Sequence, residues 1–273
     1  MKHKSGNILI NATTLKTVFK VIILIENWHI YFKDFFGKFS LGDKIVFDLR
    51  NGVKNILDAN SIDIYIFTEI WIHEQYNPKG FNIKENDTVI DIGANSGIFS
   101  IYAGYKASKG KVYSFEPVRE NFEKLKENII LNRMTNVITI EKAVSNTNGT
   151  KNIFLNTENN GGHSFFNDFM WKENETGKEI KITTISLQGI FDENKIEKID
   201  FLKCDCEGAE YEIFFPFKEL LKKIDRISME VHRIDNDRNV SKLKAFLEES
   251  GFAVKISPNY DRSLNMLYAK NLK

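Results

Sequence analysis

Cysteine and proline are scarce in this sequence, at two and four of its 273 residues. Cys204 and Cys206 stand one residue apart, which excludes a disulfide framework; a reducing compartment, and so a cytoplasmic location, is the expectation. An excess of charge of one sign is also missing: 38 Lys and Arg face 37 Asp and Glu, a net charge of +1. A chain so balanced has no broad basic footprint, which argues against a DNA or RNA partner. Long apolar runs are absent near the N-terminus. The longest there, VIILI from Val21 to Ile25, falls far short of the roughly 20 residues of a bilayer span, and no small-residue cleavage site follows it.

Residues 1–39 instead carry Lys2, Lys4, Lys16, Lys20, Lys33 and Lys38 against Glu26 and Asp34, with aromatic residues such as Phe19, Trp28 and Phe35 between them. The plainer reading is a helix capping the main domain; contact of residues 15–39 with a membrane surface is the alternative. Alternating apolar residues around Asn51-Gly52 then predict a β-hairpin, and DIYIFTEIWIHEQY reads as a helix before Pro78 and Gly80. From Thr88 the chain alternates strand and helix: TVIDIG, GIFSIYAGYKA, KVYSFEP, VRENFEKLKENIILN, VITIEKAVS. That order predicts a parallel sheet with helices on both faces. Residues 146–180 interrupt it as an inserted excursion, with short strands at KNIFLN and KEIKITTISL. The alternation resumes with the strand IDFLKCD, a helix AEYEIFFPFKELLKKI bent by Pro216, the strand RISMEVH, a helix ended by Gly251, and two closing strands.

VIDIGANSG, residues 89–97, joins the first of these strands to its helix. Gly93 permits a tight turn, Gly97 lets the helix start pack on the strand, and the loop faces the crevice where open α/β sheets bind ligands. Glu116 ends the next strand, 23 residues after Gly93, where an acid accepts hydrogen bonds from ribose hydroxyls. The loop lacks the G-x-G-x-x-G of dinucleotide sites, because Ala94 stands where the second glycine is needed. Asp91 at the strand end would also repel a pyrophosphate. A nucleoside-type cofactor without a pyrophosphate is therefore expected, and a nicotinamide-dependent dehydrogenase is disfavoured.

These stretches, together with AVSNTNG, TISLQGI, IDFLKCDCEGAEYEIF and EVH in that order, resemble the FkbM family of S-adenosylmethionine-dependent methyltransferases over residues 41–235. The resemblance implies a Rossmann-like class I methyltransferase fold: a mostly parallel seven-stranded sheet flanked by helices. An N-terminal extension of helix, hairpin and helix (1–80) would pack on a cofactor-binding domain (81–273). It further implies that Asp91, Gly93, Ala94, Asn95 and Gly97 line the methionine end of S-adenosylmethionine and that Glu116 holds the ribose. Ala143 and Val144 would border the adenine, and Asp205 would face the sulfonium. Glu69, Glu74 and Tyr76 are similar to positions that close over the cofactor. The sequence departs from the family at Cys204 and Cys206, where aliphatic residues are usual; both are small and apolar enough for a strand.

In FLKCDCEGAE, strand alternation puts Leu202, Cys204 and Cys206 on one face and Lys203, Asp205 and Glu207 on the other. One C-x-C with scattered histidines does not make a zinc site, so the thiols are expected to be strand packing. Carboxylates buried at such a strand end need a cation or donors; a sulfonium would serve for Asp205. Glu210, in the first helical turn, is accounted for by the helix macrodipole. EVH ends the next strand, so Glu230 and His232 should emerge near Asp205. His232 is the expected general base for a hydroxyl acceptor because an unperturbed imidazole titrates near neutrality. Mg2+ held by Asp205, Glu207 and substrate oxygens is the less favoured arrangement. His163 and Ser164 on the excursion are weaker candidates. The expected reaction is O-methylation of a hydroxyl on a sugar, glycan or other small-molecule acceptor. A D-C-E-G element in place of [DN]-P-P-[YF] argues against amino-methylation of nucleic acid, and a cofactor-binding protein without catalysis is the alternative.

Overall fold

Short apolar runs ending at turns become parallel strands here, and the helices between them cover both sheet faces. The computed structural model describes residues 12–155, 178–259 and 264–273. Two helices come first, α1 (Ala12–Leu24) and α2 (Trp28–Phe35), then the hairpin β1 (Lys44–Asp48) and β2 (Lys54–Asp58). Helix α3 (Asp63–Phe67) runs into a π-helical turn, Thr68–Ile72. The alternating region then gives β3 (Thr88–Ile92), α4 (Ile98–Lys106), β4 (Lys111–Phe115), α5 (Arg119–Leu131) and β5 (Val137–Ile140). Next come β6 (Ala143–Ser145), β7 (Gly149–Leu155), β8 (Lys178–Ser186), α6 (Leu187–Asn194), β9 (Ile199–Cys204) and α7 (Glu210–Phe214). The chain closes with β10 (Ile224–Val231), α8 (Val240–Glu249), β11 (Phe252–Pro258) and β12 (Asn265–Asn271).

The main sheet has seven strands in the order β11-β12-β10-β9-β3-β4-β5. Strands β10, β9, β3, β4 and β5 pair in parallel, while β12 runs antiparallel to both its neighbours. This is the Rossmann-like class I methyltransferase arrangement. The sheet order switches direction between β9 and β3, where open α/β sheets gather their ligands. Alternation along the strands assigns the two faces. Val89, Val112 and Phe201 join one core with α4, α5 and the N-terminal extension. Ile90, Ile92, Leu202, Cys204 and Met229 join a second core with α6 and α8.

Two expectations are corrected. VITIEKAVS is not one strand: β5 stays in the main sheet, while β6 leaves it to pair with β8 in a separate three-stranded sheet, β6-β8-β7. Charged, half-buried Glu141 and Lys142 mark the break. The helix expected over AEYEIFFPFKELLKKI ends at Phe214, followed by short 3-10 turns at Phe215–Phe217 and Leu220–Lys223. Pro216 has no N–H to donate back to Glu212, and its ring crowds that carbonyl, so the helix stops rather than bends.

The extension shares a core with the sheet, and polar groups fix its position. Tyr31 and Thr68 are joined by a 2.7 Å hydroxyl–hydroxyl bond, and buried Asp34 accepts the Asn60 amide at 2.7 Å. Helix α5 holds the free edge of the hairpin with two asparagines one turn apart. Asn128 accepts Ile56 N–H at 2.8 Å and donates to Ile56 O at 3.0 Å and to Ser96 O at 2.9 Å. Asn132 repeats the pairing on Lys54, at 2.8 and 2.7 Å. Each amide stands in for a missing neighbouring strand. Asn128 is buried and also reaches the loop after β3, so Asn128→Ala should cost roughly 2–4 kcal/mol in chemical unfolding, and Asn132→Ala, at a less buried position, about 1 kcal/mol or less. Equal small losses for the two variants would show that the asparagine pairing does not hold the extension.

Candidate active site

Gly93 ends β3 with a φ of 75°, and a Cβ there would lie 1.8 Å from the carbonyl oxygen of Asp205. Only glycine lets the loops after β3 and β9 touch in this way. The amides of Gly93 and Ala94 both reach Phe115 O, at 3.1 and 3.0 Å, and Asp205 N–H donates to Ile92 O at 3.1 Å. Gly97, at φ 88°, opens α4 against Leu125, whose Cδ1 would be 2.6 Å from an added Cβ. Glu116, just beyond β4, accepts Asn95 N–H at 2.8 Å and Val118 N–H at 2.9 Å. Burial pushes its carboxyl up to about 7 despite those two amides. A loop flanked by two glycines, a carboxylate at the tip of the next strand and Asp205 beside them fit a ribose-bearing cofactor.

Under this loop lies Lys203, 4% exposed along its side chain. It donates to Gly93 O at 2.7 Å and Ile92 O at 3.3 Å, and pairs with Asp91 Oδ1 at 3.3 Å and Asp205 Oδ2 at 3.9 Å. Its ammonium also sits 5.4 Å from the Tyr76 ring centre and 5.9 Å from that of Phe99. Burial alone would lower the lysine, but Asp91 and Asp205 outweigh it and raise it. Asp91 is sealed from solvent beneath the loop and accepts Ser100 Oγ–H at 2.6 Å. What it offers a ligand passes through the loop it supports. Asp91, which the sequence expectation set against a pyrophosphate, is paired here with Lys203 at 3.3 Å.

Beyond β9 a second cluster forms. Buried His232 follows β10, with Nδ1 2.8 Å from Glu210 Oε1 and Nε2 3.4 Å from Glu207 Oε2 and 4.0 Å from Glu230 Oε1. Its backbone carbonyl accepts the Tyr211 hydroxyl at 2.6 Å. Glu207 holds a left-handed φ of 52°, a conformation that costs a non-glycine residue roughly 1–3 kcal/mol and turns its side chain toward the imidazole. Asp205, Glu207 and His232 bring one possible ligand atom each within 4.8 Å of one another, so a divalent cation could be held there with Glu210 steadying the imidazole. Burial would depress His232, yet Glu210 and Glu207 outweigh it and hold the imidazole well above its ordinary value. Burial lifts Glu207 to about 7, and burial with the Asp205 charge lifts Glu230 to about 8.

The extension contributes to this wall. Tyr76 donates its hydroxyl to Asp205 Oδ2 at 2.9 Å, and Gln75 Nε2 lies 3.5 Å from Glu230 Oε2. Glu69 is near enough for its charge to raise Tyr76 and Glu230. Glu74 turns away, toward the Tyr102 hydroxyl at 2.9 Å and Lys106 at 3.6 Å. Ala143 and Val144 are buried on β6, in apolar packing, and pair with Thr184 and Ile185 of β8. His163 and Ser164 lie outside the described residues. The thiols of Cys204 and Cys206 are 3.4 Å apart on the sheet face opposite Asp205. Sequence reasoning missed two partners. Lys203 faces Asp91 directly in the β3–β9 register, and Glu210 follows Glu207 at the three-residue spacing that lets both reach one imidazole.

Residues 91–254 match the family model described as the methyltransferase FkbM domain. The chain is 25% identical over 215 residues to 31-O-demethyl-FK506 methyltransferase FkbM of Streptomyces tacrolimicus, covering 70% of this chain and 82% of that protein. It is 25% identical over 179 residues to hexuronic acid methyltransferase AglP of Haloferax volcanii, covering 65% and 70%. Among solved structures, the Methanococcus jannaschii fibrillarin pre-rRNA processing protein aligns with a TM-score of 0.47 and 15% identity, over 86% of this chain and 85% of that one.

Four raised groups give the fold a pH signature. Glu116, Glu207 and Glu230 bind protons more tightly folded than unfolded, so their contribution fades as pH climbs from near 5 to near 8. His232, raised above 6.5, likewise stabilises most below that value and loses its contribution as pH rises through the folded titration. By linkage the urea midpoint should fall between pH 5 and 8, and Glu116→Gln should make the decline shallower. A midpoint that climbs across this window would contradict these assignments.

Proposed function

We propose that this chain, which belongs to the FkbM methyltransferase family, methylates a hydroxyl oxygen of a sugar, glycan or other small-molecule acceptor. Bound S-adenosylmethionine supplies an electrophilic methyl group on a sulfonium sulfur. The loop Gly93–Gly97 and Glu116 would hold the nucleoside and methionine parts, with the backbone of Ala143 and Val144 at the adenine. Asp205, held by Tyr76 and Lys203, would lie beside the positive sulfur.

A hydroxyl is a poor nucleophile until its proton has somewhere to go. The observation that carries this reading is the buried Glu207–His232–Glu210 chain next to Asp205. Glu210 and Glu207 raise the imidazole and favour its protonated form, so in this reading His232 serves as a positioning group rather than as the free base expected from its ordinary value. Glu207, at about 7, is the better acceptor: it takes the hydroxyl proton, His232 steadies the carboxylate, and Glu210 fixes the ring. Asp205, Glu207 and His232 are therefore the residues we assign to the reaction. The names of the relatives, one acting on demethyl-FK506 and one on a hexuronic acid, support acceptors of this class.

A methyl-transfer screen over hydroxylated acceptors, with and without chelator, tests the reading. Glu207→Gln should lower kcat by about 10²–10⁴-fold while the Kd for S-adenosylmethionine stays within about twofold. Cofactor binding should itself weaken about tenfold per pH unit below 7, because Glu116 must ionise to accept ribose hydroxyls. Undiminished turnover in Glu207→Gln would rule out the proton path, and activity lost to chelator would assign Asp205, Glu207 and His232 to a metal.

A further inference from the structure

Among the described residues fourteen large hydrophobic side chains are exposed, and eight of them lie between Leu15 and Leu41. Helix geometry explains how they gather. At about 100° per residue, Leu15, Phe19, Ile22 and Ile23 fall within an arc of about 100° on α1, with Lys16 and Lys20 along one flank. Val21 and Ile25, fully buried, occupy the opposite side. Helix α2 repeats the pattern: Trp28, Phe35 and, at its end, Phe36 are exposed, His29 and Lys33 flank them, and Tyr31 and Asp34 are buried. A helix that is apolar on two sides is one that is covered on two sides.

We propose that this face lies on an anionic lipid bilayer surface. The charge pattern selects that occupant. Lys16, Lys20, Lys33 and Lys38 are exposed against exposed Glu26, while Asp34 turns inward to the Asn60 amide. Lysines beside an apolar stripe, with a tryptophan near its middle, match the boundary between acidic headgroups and acyl chains. A second copy fits poorly, because a two-fold interface sets the same patch against itself and would bring the lysine rows together. No helix among the described residues is long and apolar enough to cross a membrane, so the contact is with the surface.

Co-sedimentation with vesicles of phosphatidylcholine, alone or mixed with phosphatidylglycerol, tests this. The wild type should pellet with the mixed vesicles and stay largely in solution with the neutral ones. Lys16→Gln and Lys33→Gln should each weaken partition by about fivefold, and Phe19→Ser with Ile23→Ser should abolish it without moving the melting temperature. Protein left in the supernatant at saturating mixed vesicles would overturn the proposal. So would equal binding to both vesicle types, or a dimer in light scattering that Phe19→Ser dissociates.

Discussion

A single buried ammonium joins the parts of this molecule that matter for its chemistry. Lys203 sits where β3 and β9 end, bonded to two carbonyls of the first loop and paired with Asp91 and Asp205. Two rings, from Tyr76 in the extension and Phe99 in α4, face it. Removing one partner of a buried ion pair costs roughly 3–5 kcal/mol, because the other charge is left uncompensated. The loop, the strand end and the extension therefore share one electrostatic anchor, and the position of Asp205 follows from it.

One strand further, charge is not balanced by lysine. His232 faces Glu207, Glu210 and Glu230 in a poorly solvated volume, so protons must make up the difference, and they do so near neutral pH. Burial first, and then the Asp205 and Glu210 charges, lift Glu207 to about 7, the range that the proposed proton acceptor requires. The strained backbone at Glu207 is consistent with a side chain placed for chemistry rather than for packing. Glu210 serves the same end from α7, and its burial shows why a macrodipole argument alone did not account for it.

Much of this was legible in the chain. Period-two alternation placed Asp205 opposite the two thiols, and the glycines of VIDIGANSG announced the loop whose backbone conformation requires them. The pairing of Lys203 with Asp91 was harder to see, because it depends on which strands become neighbours and not on either segment alone. The same limit applies to Gln75, whose carbonyl accepts the Tyr268 hydroxyl at 2.7 Å and whose side chain reaches Glu230 from far along the chain. Local chemistry overrode periodicity in two places: Pro216 ended a helix that its apolar spacing would have continued, and Glu141 and Lys142 split a run of strand-forming residues between two sheets.

The claim that Lys203 organises the cofactor site is tested most directly by calorimetric titration of S-adenosylmethionine into the wild type and into Lys203→Met. The account predicts that the wild type binds one equivalent and that the variant, still folded by circular dichroism, binds at least about tenfold more weakly. An affinity in folded Lys203→Met within about twofold of the wild type would contradict it.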